Sequence, residues 1–149
     1  MAARDGQPAI RRLFQSGCGK ALLPKTHGGM PEAVLINTSG GITGGDRLDY
    51  SLTAEPDAAL VATTQAAERV YRSSAGTGRL DTHLTLGSGA RLHWLPQETI
   101  LFDGGRLERR LDIDMAPDAD LIALETVALG RAAMGEHVVS GSITDCWRL

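Results

Sequence analysis

From Leu48 to Leu121 apolar and polar residues alternate along much of the chain, and clusters of Gly, Pro and Asp break the alternation at regular intervals. Period two is the mark of strands that bury one face. Laid over itself at an offset of 32, Leu52-Thr53-Ala54-Glu55-Pro56-Asp57-Ala58-Ala59-Leu60 matches Leu84-Thr85-Leu86-Gly87-Ser88-Gly89-Ala90-Arg91-Leu92, and Gln65 falls on Gln97. A further offset of 29 brings Ile113-Asp114-Met115-Ala116-Pro117-Asp118-Ala119-Asp120-Leu121 onto the same template. The three copies, about residues 48–65, 80–97 and 109–126, each read as two strands joined by a tight turn, a β-hairpin. A lone hairpin cannot bury its apolar face, so the copies are expected to stack into layered sheets with the linking segments along one edge.

The pattern thus predicts a mainly β, elongated, solenoid-like fold of stacked hairpins, one domain over residues 1–149 with one or two short helices. Thr64 to Ser73 reads equally as a short helix or a strand, and Leu124 to Met134 carries helix formers. Gly141 to Leu149 alternates like a further strand and stops without a turn, which predicts a truncated domain whose continuation, or a partner, covers that edge.

Composition narrows the class. Hydrophobic residues are 42% and charged residues 22%, the mixture of a folded globular protein. Fifteen Lys and Arg against 18 Asp and Glu give a net charge of -3, which disfavours nucleic acid and anionic membranes as partners. The first residues lack the apolar region of a secretory signal, and no stretch approaches the roughly 18 apolar residues of a bilayer span, so a cytoplasmic protein is expected. Cys18 and Cys146 have neither disulfide-scaffold density nor zinc-site spacing and read as free thiols. Eighteen glycines with only 4% aromatics suggest many turns and a core of small aliphatic side chains.

The densest glycine cluster is Ser39-Gly40-Gly41-Ile42-Thr43-Gly44-Gly45-Asp46. It ends in an aspartate that would repel phosphate, where a Walker loop needs Lys and Ser/Thr. Gly17-Cys18-Gly19-Lys20 is followed by Ala21, which has no hydroxyl for magnesium. His27, His83, His93 and His137 lack metal-site spacing. The carboxylates Asp46, Glu98 and Glu125 interrupt apolar surroundings, where burial requires an arginine, water or a cation; Arg69, Arg72 and Arg131 are the candidate partners. Two such acids would also serve a glycoside hydrolase or a glycan-binding module on a stacked β fold, although sugar sites usually want more aromatic platforms. No nucleophile elbow or Cys/His signature is present.

Four blocks in order carry a resemblance: Asn37-Thr38-Ser39-Gly40-Gly41-Ile42-Thr43-Gly44-Gly45-Asp46; Thr63-Thr64-Gln65-Ala66-Ala67-Glu68-Arg69-Val70-Tyr71-Arg72-Ser73; Trp94-Leu95-Pro96-Gln97-Glu98-Thr99-Ile100-Leu101-Phe102; and Gly130-Arg131-Ala132-Ala133-Met134-Gly135-Glu136. They make the chain similar to the first part of the UreD (UreH) family of urease accessory proteins. The resemblance implies a non-catalytic scaffold that binds apo-urease and UreF, and through UreF the GTPase UreG, while nickel passes along a water-filled internal route. It implies no tightly bound cofactor, only transient Ni2+. Asp46, Glu125 and, after them, Glu98 are the residues it suggests for lining that route. Gly40, Gly41, Gly44, Gly45, Thr64, Gln65, Tyr71, Arg72 and Gln97 are its motif positions, for structure or partner contact.

Overall fold

The computed structural model describes residues 2–4, 7–25 and 29–149. A short hairpin, β1 (Ala2–Arg4) and β2 (Gln7–Ala9), precedes β3 (Gly19–Leu22) and β4 (Glu32–Asn37). The chain then winds through three successive coils of three strands each. The first holds β5 (Arg47–Ala54), β6 (Ala59–Thr64) and β7 (Glu68–Val70). The second holds β8 (Gly78–Leu86), β9 (Arg91–Trp94) and β10 (Thr99–Leu101). The third holds β11 (Arg106–Met115), β12 (Asp120–Ala123) and β13 (Val127–Leu129), and β14 (Ser142–Arg148) opens a fourth.

Equivalent strands of successive coils pair in parallel and build three sheets, in the orders β5-β8-β11-β14, β3-β4-β6-β9-β12 and β7-β10-β13. Only the β3–β4 rung of these sheets is antiparallel. The mainly β, solenoid-like stacking expected from the repeat is what the chain adopts. Its two offsets are the ladder registers themselves: Leu52 pairs with Leu84 and Leu84 with Ile113, while Leu60 pairs with Leu92 and Leu92 with Leu121.

The hairpins are corrected. The strands flanking each Gly/Pro/Asp cluster belong to different sheets and pair with the neighbouring coil, not with each other. The cluster is a corner: the Asp57 N–H donates to Ser88 O and the Gly87 N–H to Ala54 O, so even the turn is satisfied by the adjacent coil. Thr64 to Ser73 contains the strand β7, and Leu124 to Met134 contains β13 followed by a single 3-10 turn, Ala132–Met134. Among the described residues that turn is the only helical element, and no helix is long and apolar enough to cross a membrane.

Alternation decides which side chains enter the coil. Leu48, Leu52 and Ala54 of β5, Leu80, Leu84 and Leu86 of β8, and Leu107, Leu111 and Ile113 of β11 are buried, and most of them stack on one another in register. Leu60, Ala62, Leu92 and Trp94 face them from the second sheet, and Val70 and Leu101 from the third. Outward positions of β5, β8 and β11 carry cross-strand ion pairs, Arg47 with Asp81 and Arg79 with Glu108. At the β12–β14 end Ile122, Leu124, Leu129 and Trp147 are exposed.

Leu84, 1% exposed between Leu52 and Ile113, is predicted to lose about 2–5 kcal/mol of stability on replacement by alanine. Arg79→Ala on the outer face is predicted to cost at most about 1 kcal/mol. Urea unfolding of the two variants beside the parent chain checks both values.

Candidate functional site: a polar column inside the coil

The inward register that stacks leucines also stacks polar groups along one line. On the third sheet Glu68 lies in register with Thr99 of the next coil. On the first sheet Leu80 is followed by Arg109, and Arg109 by Asp145 of β14. On the second, the parity of Leu121 and Ala123 carries Glu125 inward just past the end of β12. Together these positions form a column of polar side chains, open at Asp145, beside a core made chiefly of Leu, Val, Ala and Ile with Trp94.

At its first level Asn37, the last residue of β4, donates through Nδ2 to both oxygens of Glu68 at 3.2 Å and to Gly41 O. Burial pushes the Glu68 carboxyl above its ordinary value, against the Asn37 bonds, the Arg69 N–H and the Arg69 charge, which favour the ionised form. Tyr50 is driven upward as well, first by burial and then by the negative charge of Glu68. A cavity of about 180 Å³ opens beside these groups, lined among others by Gly40, Thr64 and Gln65.

Two coils on, Arg109 is the hub. Its side chain is 4% exposed, as is that of Glu125. Nε lies 3.2 Å from Glu125 Oε2 and donates to Asp145 Oδ1 at the same distance, while Nη2 donates to Asp145 Oδ2. Nη1 donates to Thr99 Oγ1, 3.3 Å away, and the Trp94 indole N–H donates to Glu125 Oε1 at 2.9 Å. A buried carboxylate is tolerable only with such partners. Glu125 Oε2 nonetheless accepts no hydrogen bond, because the Nε–H is directed at Asp145.

Of the acids singled out in the sequence, Glu125 alone enters this column, and its cation is Arg109. Arg72 instead pairs with Asp103, Arg131 pairs with Glu136, and Arg69 is exposed. Asp46 is exposed at the corner before β5, where Oδ2 accepts the Thr43 N–H at 2.9 Å. Glu98 is half-buried, and its carbonyl accepts the Glu68 N–H. Glu125 is sealed by Arg109 and Trp94, so it and Glu98 do not present the open carboxylate pair of a glycoside hydrolase.

The glycine cluster packs backbone against backbone. Ile42 adds a rung to β7, its N–H donating to Arg69 O at 2.7 Å, and a Cβ on Gly41 would overlap the Tyr71 ring and that same carbonyl. Gly44 lies against Ala75 O and Ser73 Oγ, while Gly40 and Gly45 have φ of +81° and +88°. Tyr71 donates to Gly40 O and meets Phe102 edge-on; the Arg72 carbonyl accepts from Thr43 Oγ1. Thr64 Oγ1 accepts the Gln97 N–H, and the Gln65 N–H donates to Leu35 O. Both glutamine side chains are exposed.

Among the described residues no three His, Cys, Asp or Glu side chains gather as a metal site. His83 lies beside Asp112, with Nδ1 3.6 Å from Oδ2; His93 is half-buried, His137 is exposed, and His27 lies outside the described residues. Cys18 and Cys146 are free thiols. Arg109, Asp145, Glu68 and Thr99 were missed in the sequence, although strict alternation, as in Leu107-x-Arg109-x-Leu111-x-Ile113, carries the signal for Arg109.

The sequence matches the family described as UreD urease accessory protein over residues 1–149. It is 58% identical over 132 residues to the urease accessory protein UreD of Dinoroseobacter shibae, covering 89% of this chain and 47% of that protein. It is 52% identical over 146 residues to that of Chelativorans sp. strain BNC1, covering 98% and 53%. It is 60% identical over 127 residues to that of Jannaschia sp. strain CCS1, covering 85% and 47%. The chain therefore spans about half the length of these curated relatives. On this footing the chain belongs to the UreD family of urease accessory proteins.

Proposed function

We propose that the chain serves urease maturation as a non-catalytic scaffold in the cytoplasm, and that its polar column is a stretch of the path by which nickel reaches apo-urease. The column carries this reading: Glu68, Thr99 and Glu125 are drawn inward in successive coils, and Asp145 joins them through Arg109 from the next strand. The partners are those of the family resemblance, apo-urease, UreF, and UreG through UreF, with Ni2+ as transient cargo. Nickel binds tightly to imidazole and thiolate, so a Cys/His cluster would hold the ion, whereas one or two oxygens at each level let it leave.

Asp46 and Glu98 enter at the rim of the path. Asp46 closes the glycine loop that Asn37 ties to Glu68, and Glu98 holds the Glu68 backbone. The remaining motif positions keep that loop seated on β7, and their exposed side chains offer contacts to the partners.

The test is nickel bound per urease, by elemental analysis, in cells supplying the other accessory proteins and either no UreD, this chain, or the reading frame extended past Leu149. Loading above the no-UreD level supports the scaffold role, and its absence with both soluble forms overturns it. In whichever form supports loading, Glu125→Gln and Glu68→Gln are predicted to lower it severalfold, and Asp46→Ala to lower it with folding nearly intact. Normal loading in the two glutamine variants would remove the column from the path.

A second prediction follows from the raised carboxyl of Glu68. The native state holds that proton more tightly than the unfolded chain, so the stabilisation from this group is fully present below about pH 4.5 and is lost as pH rises through the raised value. Urea midpoints measured between pH 4.5 and 7 should fall less steeply for Glu68→Gln than for the parent.

A further inference from the structure

We propose that Arg109 is a gate in this column: its guanidinium occupies the place of a cation between Glu125 and Asp145, and a divalent ion passes that level only by displacing it. The proposal rests on the nickel-path reading and names the residue that regulates it.

The geometry is that of a cation seat already filled. Glu125 Oε2 and Asp145 Oδ1 both lie 3.2 Å from the same nitrogen, Arg109 Nε. A divalent transition metal takes carboxylate oxygens at about 2.0–2.2 Å, so a modest inward movement of the two carboxylates would let an ion stand where Nε stands. Glu125 Oε2 is buried, aimed at this point and without a hydrogen bond, leaving one strong acceptor that the guanidinium contacts by charge alone. Its other oxygen is held by the Trp94 indole, which fixes the direction of the free one.

Charge gives the same answer. One guanidinium against two carboxylates leaves the level with a net charge of about -1, attractive to a cation once Arg109 moves and closed to one while it stays. The two carboxylates that Arg109 serves are the ligands an arriving ion would take over.

The test uses Arg109→Gln, made in the full reading frame that carries this chain, and Ni2+ alone as probe. Equilibrium dialysis should show one added Ni2+ per chain, bound about tenfold or more tightly than by the parent, and lost again in Arg109→Gln/Glu125→Gln. If Arg109→Gln is unfolded without metal, Ni2+ should refold it, as judged by circular dichroism, because the ion replaces the missing cation. An affinity unchanged from the parent in a folded variant, or a variant that stays unfolded at every Ni2+ concentration while the double variant folds, overturns the gate. The path reading fails separately: Glu125→Gln would then leave urease loading normal even though Arg109→Gln gained its ion.

Discussion

Everything in this molecule depends on the parallel ladder that places each residue over its equivalent one coil earlier. A parallel register has no freedom to slip by one without turning every inward side chain outward. Length changes between coils are therefore confined to the corners. Nine residues separate Ala59 from Glu68, eight separate Arg91 from Thr99, and seven separate Asp120 from Val127, although the strands they join stay in register. The coil shortens by one residue at each turn of this corner, and Glu125 occupies the shortest of the three.

The same ladder explains how charged groups persist in the core. An isolated arginine among leucines would be untenable, but the register supplies Asp145 from the next coil, while the tightened corner supplies Glu125 and the neighbouring sheet Thr99. The second, third and fourth coils contribute one partner each, so the guanidinium is satisfied collectively. The glycine loop belongs to this economy of space: it approaches Arg69 and Tyr71 too closely for any side chain, and Asn37 transmits that fit to Glu68.

Much of this was legible in the chain. The offsets of 32 and 29 are physical registers, because equivalent positions in stacked coils face equivalent environments. What alternation does not carry is the partner of a strand: a hairpin and a coil corner have the same period on both sides of a Gly/Pro/Asp turn, and only the link lengths tell them apart. Glu125 could be found, since a carboxylate among Leu121, Ala123 and Leu124 is anomalous. Arg109 and Asp145 hid in strands rich in charge, where Glu108 and Arg110 are ordinary outward residues and only parity separates them from Arg109. Asp46 was conspicuous for the opposite reason: a striking motif whose local work is to close a turn.

The reversed strand β3 acts beyond its own hydrogen bonds. A stack of parallel coils is a template: its edge invites another parallel strand, and identical chains joined head to tail would grow into a fibre. By running antiparallel to β4, β3 breaks the parallel repeat at that edge, so a copy stacked in the coil register would meet a strand of the opposite direction. Among the described residues the five-stranded sheet thus changes from repeat to hairpin-like pairing within four residues.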